Sequence, residues 1–481
     1  MNKFKTLTLS VLSGLVLSGC GTLETVGDTV SGLNPFSDNS GQGEAIDDPN
    51  RISILQLSEE LVVTGALQPS DVVLPDPLIS NDWTQHGGNS THSLQRLTSD
   101  GSLDKAWSRD FGKGSSRKGR ILAPPVVQGD RLYTMDANNT VRALNADDGS
   151  RIWEYTVKID SEGRTRRGRK SIIERVRDPL AFRDTGGVDK NGVGGGLSIV
   201  DNVVYLTSGL GVIEALDAST GESLWRRELR VPLHSAPAMK DGRLFAISDD
   251  NELFALDAET GDTQWTYQGI IESARMLTLP APAVVNEVVI APFSSGELVA
   301  LQVQNGSVLW QDALSGGGRL TPLASLNDIA SGPVVADGFV IASAQSGAMN
   351  AFDLRTGQRV WSQPAGTLSF PWIAGDFVYA ATTNGEIICM SKLDGQLVWL
   401  TQLDQFKNEK KREKKIAWSG PVLVDDKLVV FSSRGIGMEL NPFDGSVIRE
   451  FKTGQDVFVP PVFANGTLYV VSDGAKLTAY R

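Results

Sequence analysis

The sequence predicts an all-β chain folded as an eight-bladed β-propeller of four-stranded blades, closed by pairing of its N- and C-terminal strands. Three observations predict it. The motif Ala-x-x-x-x-x-Gly-x-x-x-Trp recurs about every 40 to 50 residues, the period of a blade-sized repeat. A second motif, Pro, then a small or polar turn residue four positions on, then an apolar residue four further, alternates with the first. The 481 residues include 50 glycines and few long runs of helix-forming residues, so short strands and tight turns dominate.

From the N-terminus, Lys3 and Lys5 followed by the apolar stretch Leu7 to Leu17 read as an export signal over residues 1–19, too short to span a bilayer. Leu17-Ser18-Gly19-Cys20 resembles the lipobox of bacterial lipoproteins, which implies cleavage before Cys20 and a lipid on its thiol. Gly21 follows where an inner-membrane retention signal would place Asp, so the resemblance implies the outer membrane, on its periplasmic side. Residues 21 to 50, rich in Gly, Ser, Asp and Asn, have the composition of a flexible tether reaching roughly 30 Å. Apolar residues return between Arg51 and Pro77, which can dock on the body or on a partner. The propeller is expected over 78–481, after a lipidated tether and docking segment over 20–77.

An orphan outer strand ending in Trp107 precedes the first blade. The Ala/Gly/Trp half then appears at 143/149/153, 215/221/225, 255/261/265, 300/306/310 and 351/357/361. Cys389/Gly395/Trp399 and Glu439/Gly445/Arg449 are degenerate copies. The Pro-led half has eight copies, beginning at Pro125, Leu197 (in place of Pro), Pro237, Pro282, Pro333, Pro371, Pro421 and Pro461. Eight inner halves against seven outer ones balance only if the orphan strand completes the last blade beside Lys476 to Tyr480, which also hides both edges. Trp107, Trp153, Trp225, Trp265, Trp310, Trp361 and Trp399 then share one position on the outer strand, where packing between blades is the expected role.

A formal charge of −12 excludes a phosphate-neutralising nucleic-acid binder. Cys20 and Cys389 are the only cysteines, and Cys389, within Ile387-Ile388-Cys389-Met390, reads as a small buried hydrophobe. The three histidines, 86, 92 and 234, show no metal-ligand spacing. His86 and His92 fall in a polar turn-rich stretch before the ring.

The repeat resembles the tryptophan-docking repeat of PQQ-type propellers over residues 103 to 481. Two kinds of protein carry it: quinoprotein dehydrogenases, and the non-catalytic BamB family of outer-membrane assembly lipoproteins. The dehydrogenases call for a quinone, Ca²⁺, a catalytic Asp and usually a vicinal cysteine pair, and no Cys-Cys exists here. The total architecture resembles the BamB family, which implies a non-enzymatic, cofactor-free, monomeric subunit of the barrel-assembly (BAM) complex. It would bind the periplasmic domains of BamA and nascent outer-membrane proteins. A PQQ-dependent dehydrogenase and a general periplasmic adaptor are the alternatives.

Insertions fall between the outer strand of one blade and the inner strand of the next, on one face of the ring, where a rigid scaffold carries function. Residues 158–190 hold ten Lys/Arg against six Asp/Glu, and 407–415 six against two. These charge runs are either solvated loops or contacts to an acidic partner or lipid headgroups. In the BamB family two neighbouring loops on this face meet BamA. The resemblance assigns that role to Arg275, Met276 and Leu277 in the first and Asp328 in the second, with Ala330 standing where the family has a second Asp.

Overall fold

A computed structural model describes residues 60–99, 101–117, 119–159, 192–229, 231–233, 235–271, 280–314, 328–329, 331–345 and 347–481. The signal, Cys20, the whole tether at 21–50, the insertion at 160–191, and Arg275, Met276 and Leu277 lie outside these residues.

Eight four-stranded antiparallel sheets follow one another, each with its strands A to D in chain order except the last. Blade 1 sets the pattern: strand A Val126–Gln128, B Arg131–Met135, C Thr140–Asn145 and D Arg151–Thr156. Blades 2 to 7 repeat it, their A strands beginning at Leu197, Ala238, Ala283, Val334, Trp372 and Trp418. In blade 8, Val462–Ala464, Thr467–Val471 and Lys476–Tyr480 take Lys105–Asp110 as their outer strand, Ser108 opposite Thr478 and Asp110 opposite Lys476. The ring thus closes by chain termini, as the unequal count of half-repeats requires.

The A–B turns show why polar residues punctuate the sequence. Gly129, Asp201, Asp241, Asn286, Asp337, Gly375, Asp425 and Asn465 all have φ between +48° and +59°. Such hairpin turns need a left-handed residue to match strand twist, which Gly, Asn and Asp supply at least cost.

The Ala and Trp of the repeat are explained by register. Ala143 lies between Tyr133 on strand B and Trp153 on strand D, and its small side chain lets the two rings lean together at 5.9 Å. The same row recurs as Tyr205/Ala215/Trp225, Phe245/Ala255/Trp265 and Tyr379/Cys389/Trp399. The repeat Gly serves the neighbouring blade: a Cβ at Gly221 would stand 2.6 Å from the Trp153 ring, one at Gly261 2.5 Å from Trp225, and one at Gly306 2.6 Å from Trp265. Six of the seven indoles donate from Nε1 to a carbonyl just past strand C of the next blade, among them Trp153 to Ala218 at 2.9 Å, Trp310 to Leu354 at 2.8 Å and Trp361 to Lys392 at 2.8 Å, while Nε1 of Trp107 is buried without a partner among the described residues. Van der Waals packing and a buried hydrogen bond are joined in one residue. The apolar core is accordingly divided into layers between blades.

Blade 7 breaks the row. Glu439 stands for Ala and Arg449 for Trp, and they form an ion pair, Arg449 Nε donating to Glu439 Oε1 at 3.0 Å. Arg449 also reaches Asp104 at 3.0 Å and the Leu103 carbonyl at 3.3 Å, so an arginine does here the bridging that tryptophan does elsewhere.

Candidate partner face and ring axis

The stretch from Ser80 to Ser99, which contains the expected polar turns around His86 and His92, runs across the ring axis and is hydrogen-bonded to the inner strand or A–B turn of every blade. Trp83 pairs with Val127 in both directions at 2.8 Å, and the Thr84 carbonyl accepts from Ile199 at 2.8 Å. The Gln85 amide brackets the Met239 peptide at 2.7 and 2.9 Å. Carbonyls of Ser90 and Thr91 accept from Val284 and Val335 at 2.6 and 2.8 Å. Gln95 accepts from Trp372 and Gly375, Leu97 bridges to Val424, and the Ser80 carbonyl accepts from Asn465 at 2.8 Å. Inner strands have unpaired edges facing the axis, and this segment satisfies them.

His86 and His92 flank the Phe370 ring, centroids 4.7 and 4.6 Å away. His92 is buried, its Nδ1 2.6 Å from the Pro333 carbonyl. Burial drops its pKa to about 4 against the stabilising pull of that carbonyl, so the ring is neutral at neutral pH. The cavity left beside Trp83, His86, His92 and Phe370 is about 30 Å³, room for a water. A tricyclic quinone does not fit it, since small-molecule sites measure hundreds of Å³. Among the described residues, no group of three or more His, Cys, Asp or Glu side chains could hold a metal ion.

Residues 60–79, whose role the sequence left open, lie on the body. Val72 is buried in the core shared with the axial segment, and Val73 and Pro75 approach Gly375 at an A–B turn. Arg96 ties this stretch down, donating to the Pro75 and Asp425 carbonyls.

The D–A connections gather on the opposite face from those turns. The connection from blade 3 to blade 4 leaves the ring through Ile270 and Ile271, 58% and 63% exposed, an unusual display of apolar surface. Ile270 is nonetheless fixed, its N–H donating to Glu297 at 2.8 Å. The next connection is rooted by the buried Leu314 and Ile329. Asp328 sits at that root, 2% exposed, with its carbonyl accepting from Gln345 at 3.0 Å.

The basic run 407–415 is a two-stranded hairpin, Phe406–Asn408 with Glu413–Lys415. Arg412 lies over the Phe406 ring at 5.5 Å, and Glu409 accepts from the backbone of Gln405 and Phe406, so the projection is ordered. Lys407, Lys410, Lys411 and Lys414 are exposed and form no ion pair among the described residues. Sequence reasoning saw the charge but not the hairpin, because the run lacks the apolar alternation that marks a strand.

A closed ring docked by tryptophans, with its axis plugged, defines a PQQ-type propeller. The family model for the outer membrane protein assembly factor BamB matches residues 98–188 and 184–401, and the chain belongs to that family. BamB of Salmonella typhimurium is 27% identical over 377 residues, 78% of this chain and 88% of the relative. BamB of Escherichia coli is 27% identical over 378 residues, 78% and 88%. The crystal structure of BamB from Moraxella catarrhalis superposes with a TM-score of 0.60 at 18% identity, covering 79% of this chain and all of that one. A quinohemoprotein alcohol dehydrogenase from Comamonas testosteroni shares the fold at the same TM-score and 14% identity, covering 83% of this chain and 80% of its own.

Proposed function

We propose that this chain is a non-catalytic scaffold subunit of the outer-membrane β-barrel assembly complex, held at the periplasmic face of the outer membrane by a lipid on Cys20. The observation that carries the reading is the D–A face. It lifts Ile270 and Ile271 into solvent directly before the segment with Arg275, Met276 and Leu277. In this reading those three residues meet a periplasmic domain of BamA, and Asp328 supports the neighbouring loop that completes the contact. Exposed apolar residues on the outer strands, Ile152, Leu224, Leu309, Val360 and Ile448, lie on free sheet edges suited to pairing with nascent barrel strands. The plugged axis supports a scaffold over a dehydrogenase.

The test is isolation of the intact lipoprotein from its own membrane in mild detergent, with a photo-crosslinker at Ile271. A crosslink to BamA is expected. Recovery of the protein without BamA, together with crosslinks to other partners only, would count for a general periplasmic adaptor instead.

A further inference from the structure

The carbonyl past strand C is a docking point at seven of the eight junctions, and between blades 1 and 2 and between blades 3 and 4 it takes a guanidinium as well as an indole. Between blades 1 and 2 the Ala218 carbonyl accepts from Trp153 at 2.9 Å, the Tyr133 hydroxyl at 3.1 Å and the Arg131 guanidinium at 3.2 Å. Between blades 3 and 4 the Val303 carbonyl accepts from Trp265 at 2.9 Å and Arg243 at 2.7 Å, which also reaches the Gln304 carbonyl at 2.9 Å. Between blades 8 and 1 the Ala146 carbonyl accepts from Tyr469 at 3.1 Å and Arg481 at 3.3 Å.

The junction between blades 2 and 3 has the same parts with the guanidinium removed. Trp225 donates to the Ala258 carbonyl at 2.8 Å. Val203 holds the strand-B position that Arg131 and Arg243 hold in blades 1 and 3. Tyr205 is 6% exposed, and its hydroxyl has no hydrogen-bond partner among the described residues. Where the arginine would lie, a cleft of about 520 Å³ opens, lined by Tyr205, Trp225, Asp241, Asp257 and Glu259, with Leu224 at its lip.

From this geometry we propose that the cleft between blades 2 and 3 binds an arginine side chain presented by another protein. The guanidinium would take the place that Arg131 and Arg243 fill at the flanking junctions, donating to the Ala258 carbonyl and lying against Tyr205 and Trp225. Aromatic faces attract such a cation, and its aliphatic stem covers Leu224, which is 54% exposed. Three carboxylates surround the cleft, while Arg243, the cation among its lining residues, is committed to carbonyls of the next junction. Asp257 is held ionised below the usual carboxylate range by hydrogen bonds from Thr260 and Glu259. The cleft opens on the A–B turn face, opposite the D–A loops, so the ring would hold partners on both faces. This site is independent of the proposed BamA contact.

The test uses residues 21–481 labelled with 5-fluorotryptophan, the Trp225 fluorine resonance assigned by Trp225→Phe. N-acetyl-arginine methylamide is titrated against its neutral isostere, the citrulline amide. The arginine amide is expected to shift the Trp225 resonance with at least about five-fold tighter binding than citrulline, consistent with a charge-assisted contact. Val203→Arg, which supplies the missing guanidinium internally, should abolish the shift, and Glu259→Gln should weaken it several-fold. The remaining fluorine resonances report that each variant is folded. Equal shifts from the arginine and citrulline amides, or an undiminished shift in both Val203→Arg and Glu259→Gln, would overturn the proposal.

Discussion

Gly221→Ala separates the two demands that a repeat glycine meets. Its φ is +78°, a conformation that costs an alanine about 1–2 kcal/mol. Its added Cβ would also sit 2.6 Å from Cε3 and 2.7 Å from Cδ2 of Trp153. That indole is pinned by its hydrogen bond to Ala218 and cannot swing aside without leaving a buried donor unpaired, so overpacking adds about 1–3 kcal/mol. The expected total is about 2–5 kcal/mol. Gly338 is the control, with φ +83° and nothing within 4 Å of the point where a Cβ would stand, so Gly338→Ala should lose only the first part. Urea unfolding of both variants, followed by circular dichroism, gives the difference directly. A second readout is the cycle with Trp153→Leu, in which a smaller side chain should recover part of the loss. Equal destabilisation at Gly221 and Gly338, within about 0.5 kcal/mol, would refute the docking account of the repeat.

Arg449→Ala should destabilise by about 1–3 kcal/mol in thermal or urea unfolding, because it leaves Glu439, whose side chain is 3% exposed, with only the more distant Lys427 at 3.7 Å; Arg449→Trp with Glu439→Ala should recover most of it by rebuilding the ordinary row. His92 binds its proton at about pH 4 in the folded chain and near 6.5 when unfolded. The unfolded state therefore holds the extra proton between those values. Stability should be full above pH 6.5 and fall by about 3 kcal/mol on going down to pH 4, a loss that His92→Gln should blunt in urea titrations at several pH values. Burial pushes the Cys389 thiol up, so in protein lacking Cys20 a disulfide reagent should label it only after unfolding. Changing Lys407, Lys410, Lys411 and Lys414 to Glu should leave stability within about 0.5 kcal/mol, as expected of exposed sites, while weakening any salt-sensitive association of the D–A face measured by co-sedimentation.

Most of the ring was legible because it is written eight times. Ala, Gly and Trp recur at fixed spacing since each is constrained by a neighbour in register, and the orphan strand at Trp107 could be placed by counting. The axial stretch from Trp83 to Ser99 was not legible, because it occurs once and its bonds are mostly backbone carbonyls and amides that any sequence provides. That Asp328 is 2% exposed was not legible either, since sequence position carries no depth. The cleft between blades 2 and 3 had a faint trace. Arg131 and Arg243 each precede an aromatic residue by two positions, and Val203 departs from that pattern, but the departure acquires meaning only when the three junctions are aligned in space.

The pairing of Lys105–Asp110 with Lys476–Tyr480 also fixes an order in time. A chain exported N-terminus first delivers its closing strand and its axial segment before any blade, and the strands that complete them last. Until residues 476–480 are delivered, blade 8 is incomplete and the strand Lys105–Asp110 has no partner. Closing a loop of this length carries an entropic cost set chiefly by the closure itself and only weakly by length. The finished ring is therefore a record that the chain was delivered to its last strand: a chain cut short before it leaves Lys105–Asp110 unpaired, and an unpaired strand is what quality-control proteases find.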